Sequence, residues 1–139
     1  MAYNGEEIYA CPPDYYFRFN VYVVVVSGGA WNPCGHAILY SSYADRYFHV
    51  AGLYSRPRSM DARQHERYMR ENGKHELRRY QVMLRNPASA HRKLEELLSK
   101  PWGWWGLPHN CATFCEDVVR AGGGHAGLYS NCPSREAFR

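Results

Sequence analysis

Hydrophobic and polar positions change period several times along this chain, and each change marks an element. FNVYVVVV, residues 19–26, is dominated by β-branched residues. A run of that length and type fits a strand buried on both faces, closed by the following Ser-Gly-Gly. GHAILYSS and RYFHVAGLY are two further apolar and aromatic runs separated by the short polar stretch SYAD, which predicts a hairpin. SMDARQHERYMRENGK has an acidic residue near its start and Asn-Gly near its end, the marks of a helix from about Met60 to Glu71. Its polar composition places that helix on the surface. HELRRYQVML predicts a fourth strand. Asn86 can cap, and Pro87 can open, a helix over NPASAHRKLEELLSK that Pro101 ends, with Leu94, Leu97 and Leu98 as its apolar face. PWGWWGLPHN is too rich in Gly and Pro for regular structure. It delivers the chain to CATFCEDVVRA, where Phe114, Val118 and Ala121 fall at helical spacing and Gly122 to Gly124 stop the helix.

These elements predict an α+β fold, with an antiparallel sheet packed against the helix that starts at Cys111 and the other helices peripheral. Residues 1–18 show no usable period and are expected to form an irregular arm around a single domain over 19–139. A length of 139 residues suits one domain with one core. No apolar run approaches the length of a membrane span, so no membrane insertion is expected. The N-terminus has acidic residues where a secretory signal needs basic ones. Synthesis in the cytoplasm without a general signal peptide follows as an expectation.

A formal charge of +4, with Lys and Arg interspersed among Glu, describes a mixed solvated surface and argues against a nucleic-acid partner. Five cysteines are an odd number and match no small disulfide scaffold, which fits a reducing compartment.

The hairpin register decides what the two histidines in it can do. A turn centred near Ser42 and Tyr43 places His36 opposite His49; one centred near Tyr43 and Ala44 makes His49 the diagonal neighbour of His36. Side chains alternate with period two, so both registers put the two rings on one face, within about 5 to 8 Å.

Cys111 stands at the first turn of a helix, where unsatisfied N–H groups and the helix dipole favour thiolate over thiol. Cys115, one turn further in and beside Phe114, has the setting of a buried structural thiol. A nucleophilic thiolate needs a base, and the base needs an orienting partner. His36 suits the first role and His49 the second, with Asp45 in the preceding turn as the alternative third member. His109, Cys111, Cys115, His125 and Cys132 are numerous enough for zinc, but their spacing is not a usual zinc pattern, so no metal or other cofactor is expected. Trp102, Trp104 and Trp105, with Asn110, form a candidate substrate-binding lip beside Cys111.

His36 in GHAILY, His49 in YFHVAG and Cys111 in HNCATF, framed by Asn110 and Phe114, resemble the circularly permuted papain-like cysteine hydrolases. That superfamily includes relatives of the NlpC cell-wall peptidases and of the lecithin:retinol acyltransferases. The resemblance covers about residues 20 to 122. It implies a papain-like fold, a catalytic trio of Cys111, His36 and His49, and cleavage of an amide bond. The acyltransferase group usually carries a charged or imidazole residue two positions after the cysteine, whereas Thr113 stands here, which disfavours a lipid acyl substrate. Bacterial cell-wall peptide is the first expected substrate, cleaved by an amidase or endopeptidase resembling toxins that a specialised secretion machine delivers to a target periplasm. Such a toxin implies an immunity or inhibitor protein as a partner. The alternatives are a cytosolic thioesterase, lipid acyl hydrolase or isopeptidase, and, in another class, a non-catalytic binding domain using the Trp loop.

Overall fold

The computed structural model describes residues 3–8, 17–28, 35–50, 57–98 and 111–127. The architecture is α+β. The strands are β1 (Glu6–Glu7), β2 (Asn20–Val26), β3 (His36–Ser41), β4 (Arg46–His49), β5 (Arg58–Met60) and β6 (Glu76–Met83). The helices are α1 (Ala62–Glu71), α2 (Pro87–Leu98) and α3 (Cys111–Ala121). All the strands join one sheet of order β1-β5-β4-β3-β2-β6, and every neighbouring pair is antiparallel.

β2 lies inside the sheet between β3 and β6, as its unbroken valine run predicts. Val21, Val23 and Val25 enter the core beneath α2 and α3, while Val24 and Val26 enter a second, smaller core with Ile38, Tyr47, Met60 and Tyr68. A strand buried on both faces cannot alternate apolar with polar residues, which is why the sequence here reads as continuous valine.

The starts of α1 and α2 are set by side-chain caps. Asp61 Oδ1 accepts from the Gln64 N–H and Gln64 Oε1 accepts from the Asp61 N–H, each at 2.8 Å. This reciprocal box fixes the start of α1 at Ala62. Met60 is therefore not helical; it ends β5, opposite Tyr47. Asn86 Oδ1 accepts from the Ser89 N–H at 3.2 Å and caps α2 as expected.

Four expectations are corrected. The arm over residues 1–18 is not wholly irregular, because Glu6–Glu7 pairs with β5 and Phe17 is buried edge-on against Phe48, with ring centroids 5.5 Å apart. α1 is polar but not merely superficial, since it buries His65 and Tyr68 on the sheet. α2 is not peripheral: Ala90, Leu94 and Leu97 share the main core with Phe114, Cys115, Val118 and Val119 of α3. The run HELRRYQVML does form a strand, as β6, but two short strands that the apolar pattern did not mark make it the sixth.

The exit of α3 is held close to β6 by glycine. A Cβ on Gly124 would stand 2.5 Å from the Met83 carbonyl oxygen, so only glycine lets the chain pass there. No helix among the described residues is long and apolar enough to cross a membrane.

Candidate active site

The hairpin adopts the register centred near Tyr43 and Ala44. Leu39 pairs with Phe48, Tyr40 with Tyr47 and Ser41 with Arg46, which makes His49 the diagonal neighbour of His36. On this face the two imidazoles meet: His36 Nε2 lies 2.7 Å from His49 Nδ1, with the rings nearly perpendicular at 82°. Both are buried, His49 fully and His36 all but 8%. Asp45 is at the far end of the strand pair, where its Oδ1 accepts from the Tyr40 hydroxyl at 3.4 Å.

α3 brings the third residue. Phe114, Cys115, Val118 and Val119 bury its inner face completely, which pins the helix to the sheet and fixes its first residue, Cys111, over the start of β3. The β3–β4 ladder begins only at Leu39, and two residues earlier the Ala37 N–H donates to Cys111 Sγ at 3.3 Å. A backbone donor on the sulfur favours the thiolate form, and the helix terminus adds to this. Cys115 has the opposite environment. Burial, and then the neighbouring Cys111 and Glu116, push its thiol well above the ordinary range, so it stays protonated.

Burial holds both histidines neutral at pH 7. For His36 the desolvation is reinforced by His49 and Lys74, and its affinity for a proton falls well below that of a free imidazole. His49 falls to about 4, burial outweighing the hydrogen bond its Nε2 makes to the Asn4 carbonyl at 2.8 Å.

α1 and the turn after it supply two groups that the sequence did not single out. Tyr68 packs edge-on against His49 with ring centroids 5.1 Å apart, and its phenol is pushed up by burial and by the charge of Cys111. Lys74 Nζ donates to the Ser27 carbonyl at 3.0 Å, at the end of β2 whose Val26 pairs with His36. Burial lowers the proton affinity of Lys74 and the charge of Cys111 raises it again, so by reciprocity the ammonium favours the Cys111 thiolate. Lys74→Met should therefore slow alkylation of Cys111 at neutral pH by about threefold without unfolding the chain. An unchanged rate would remove Lys74 from the site's electrostatics.

Of the residues singled out from sequence, Cys111, His36 and His49 come together at one end of the sheet. Trp102, Trp104, Trp105 and Asn110 lie outside the described residues, as do Cys11, Cys34, His109 and Cys132. His125 is exposed, 3.6 Å from a carboxylate oxygen of Glu116. Comparison with models of protein families, with curated proteins and with solved structures found no match to this chain.

Proposed function

We propose that this protein is a cysteine hydrolase in which Cys111 is the nucleophile, His36 the base and His49 the residue that orients it. The observation that carries the reading is the Ala37 N–H bond to Cys111 Sγ, which puts a helix-start cysteine one residue along the backbone from a histidine whose ring is tied to a second buried histidine. The thiol proton passes to His36 as sulfur attacks a carbonyl carbon. The oxyanion that forms is stabilised by the positive end of the α3 dipole, at whose first residue the sulfur sits. His36 then protonates the departing amine, leaving a thioester on Cys111. Water, deprotonated by His36, releases the acid and regenerates the thiol.

The resemblance to permuted papain-like hydrolases directs the substrate to bacterial cell-wall peptide. The same trio serves equally for a thioester or isopeptide bond.

The test is the alkylation rate of each cysteine at about pH 6, read by peptide mass spectrometry, in the native chain and in His36→Ala. An ordinary thiol with a pKa of about 8.5 is almost wholly protonated there and slow. Cys111 should react fastest and lose its advantage without His36. A Cys111 no faster than Cys115 would remove the nucleophile, and release of cell-wall fragments then has no basis in this site.

A further inference from the structure

Building on the hydrolase reading, we propose that the N-terminal arm is a working part of the catalytic relay: the backbone carbonyl of Asn4 sets the tautomer of His49 and thereby leaves His36 Nδ1 open to receive the thiol proton.

The arm fixes the ring protons one after another. A carbonyl oxygen only accepts, so the 2.8 Å contact between Asn4 O and His49 Nε2 requires the hydrogen to be on Nε2. A neutral His49 then has a lone pair on Nδ1. That nitrogen faces His36 Nε2 at 2.7 Å, so His36 must be the donor in this bond and carry its own hydrogen on Nε2. A neutral His36 is left with its lone pair on Nδ1. When the Cys111 proton arrives at Nδ1, the ring becomes an imidazolium and no existing hydrogen bond has to reverse.

The opposite tautomer disables the base. If His49 held its hydrogen on Nδ1, it would donate to His36 Nε2 and His36 would carry its hydrogen on Nδ1. The ring nitrogen not engaged by His49 would then be unable to accept a proton. Two neutral imidazoles alone have little to choose between these arrangements, and the Asn4 carbonyl supplies the bias.

The arm is fastened on both sides of that carbonyl, beyond what a two-residue strand needs. The Tyr3 N–H donates to Glu71 Oε1 at 3.1 Å and Asn72 Nδ2 donates to the Tyr3 carbonyl at 2.8 Å, both from the end of α1. Arg58 Nη1 donates to the Gly5 carbonyl at 3.1 Å, and Glu6 and Glu7 pair with Ser59 and Arg58. Gly5 has φ +101°, and a Cβ there would lie 3.1 Å from Met60 Cγ and 3.2 Å from Arg58 Cβ. This conformation, open to glycine, turns the Asn4 carbonyl from the strand direction onto His49. Asn4 acts through His49, so it is a positioning residue, and its side chain is not involved.

The experiment weakens one oxygen and reads the rings. A synthetic segment 1–10 is ligated to residues 11–139 through Cys11, once as the all-amide chain and once with glycolic acid in place of Gly5. The ester lowers the acceptor strength of the Asn4 carbonyl without adding an atom. Nitrogen-15 spectra of the imidazoles at about pH 7 should show His36 and His49 of the all-amide chain both protonated on Nε2. In the ester chain His49 should become a mixture of tautomers, and alkylation of Cys111 should slow by about fivefold.

A native His49 protonated on Nδ1 overturns the proposal without reference to the ester. So does an ester chain with unchanged ring signals and rate. Expected tautomers combined with a sluggish native Cys111 would instead sink the hydrolase reading and leave the relay standing.

Discussion

On the proposed hydrolase reading, Cys111→Ala should abolish turnover, lowering kcat by about 10⁴-fold or more, while thermal unfolding stays near that of the native chain. The two effects separate because of where the sulfur is. Cys111 opens α3 at the edge of the core, and the helix is anchored chiefly by the fully buried Phe114, Val118 and Val119, which the substitution leaves in place. Cys115→Ala should do the reverse: near-native turnover with a stability loss of about 1 kcal/mol, because Cys115 is fully buried among those same residues. The measurement is a pair of kcat values with a pair of melting curves. Activity that survives in Cys111→Ala and vanishes in Cys115→Ala would mean that the nucleophile has been misassigned.

The trio was legible from sequence because two simple periodicities placed it. Strand alternation put His36 and His49 on one face whichever even register the hairpin took, and helical spacing put Cys111 at a helix start. The choice between registers was not legible. It depends on the four residues Ser42 to Asp45, with Asp45 at φ +50°, and turn geometry of that kind leaves little trace in composition. The contribution of the arm was invisible for a different reason. Asn4 acts through a backbone oxygen, which every residue possesses, and Glu6–Glu7 is too short to have a period. Tyr68 and His65 were missed because α1 is polar overall and shows only two buried positions to the sheet. Reading α2 as peripheral failed similarly: Leu94 and Leu97 identified its apolar face, but nothing local said that the same core would hold α3.

Stability should fall steeply as pH drops from about 6.5 to 4, and the same buried imidazoles that form the candidate site should be responsible. His49 and His65 are both held down to about 4 from 6.5, chiefly by burial, and His36 is lowered as well. A group whose folded affinity for protons is depressed leaves the unfolded chain binding more protons below 6.5. Its contribution is complete above 6.5 and is lost as pH falls toward 4. The fully buried His49 ring is worth about 3 kcal/mol across that window and the better-solvated His65 ring less, against a total stability of about 5 to 15 kcal/mol for a domain of this kind. The surroundings offer little relief: Arg58, Lys74 and His65 oppose a charge on His49, and Arg79 opposes one on His65, with Glu76 alone favouring it. His65 is also the one described residue with a buried side-chain nitrogen, Nδ1, lacking a hydrogen bond, while its ring stacks 3.9 Å from Tyr47 at an angle of 2°. His65→Phe keeps the stack and removes the orphan, so it should stabilise the chain by about 1 kcal/mol at pH 7 and make the acid limb shallower. Urea midpoints at pH 7, 5.5 and 4.5 for both chains test this. A native midpoint that does not move over that range would mean that the three rings are not buried as a neutral cluster, and His36 would then lack the environment in which it waits, uncharged, for the proton of Cys111.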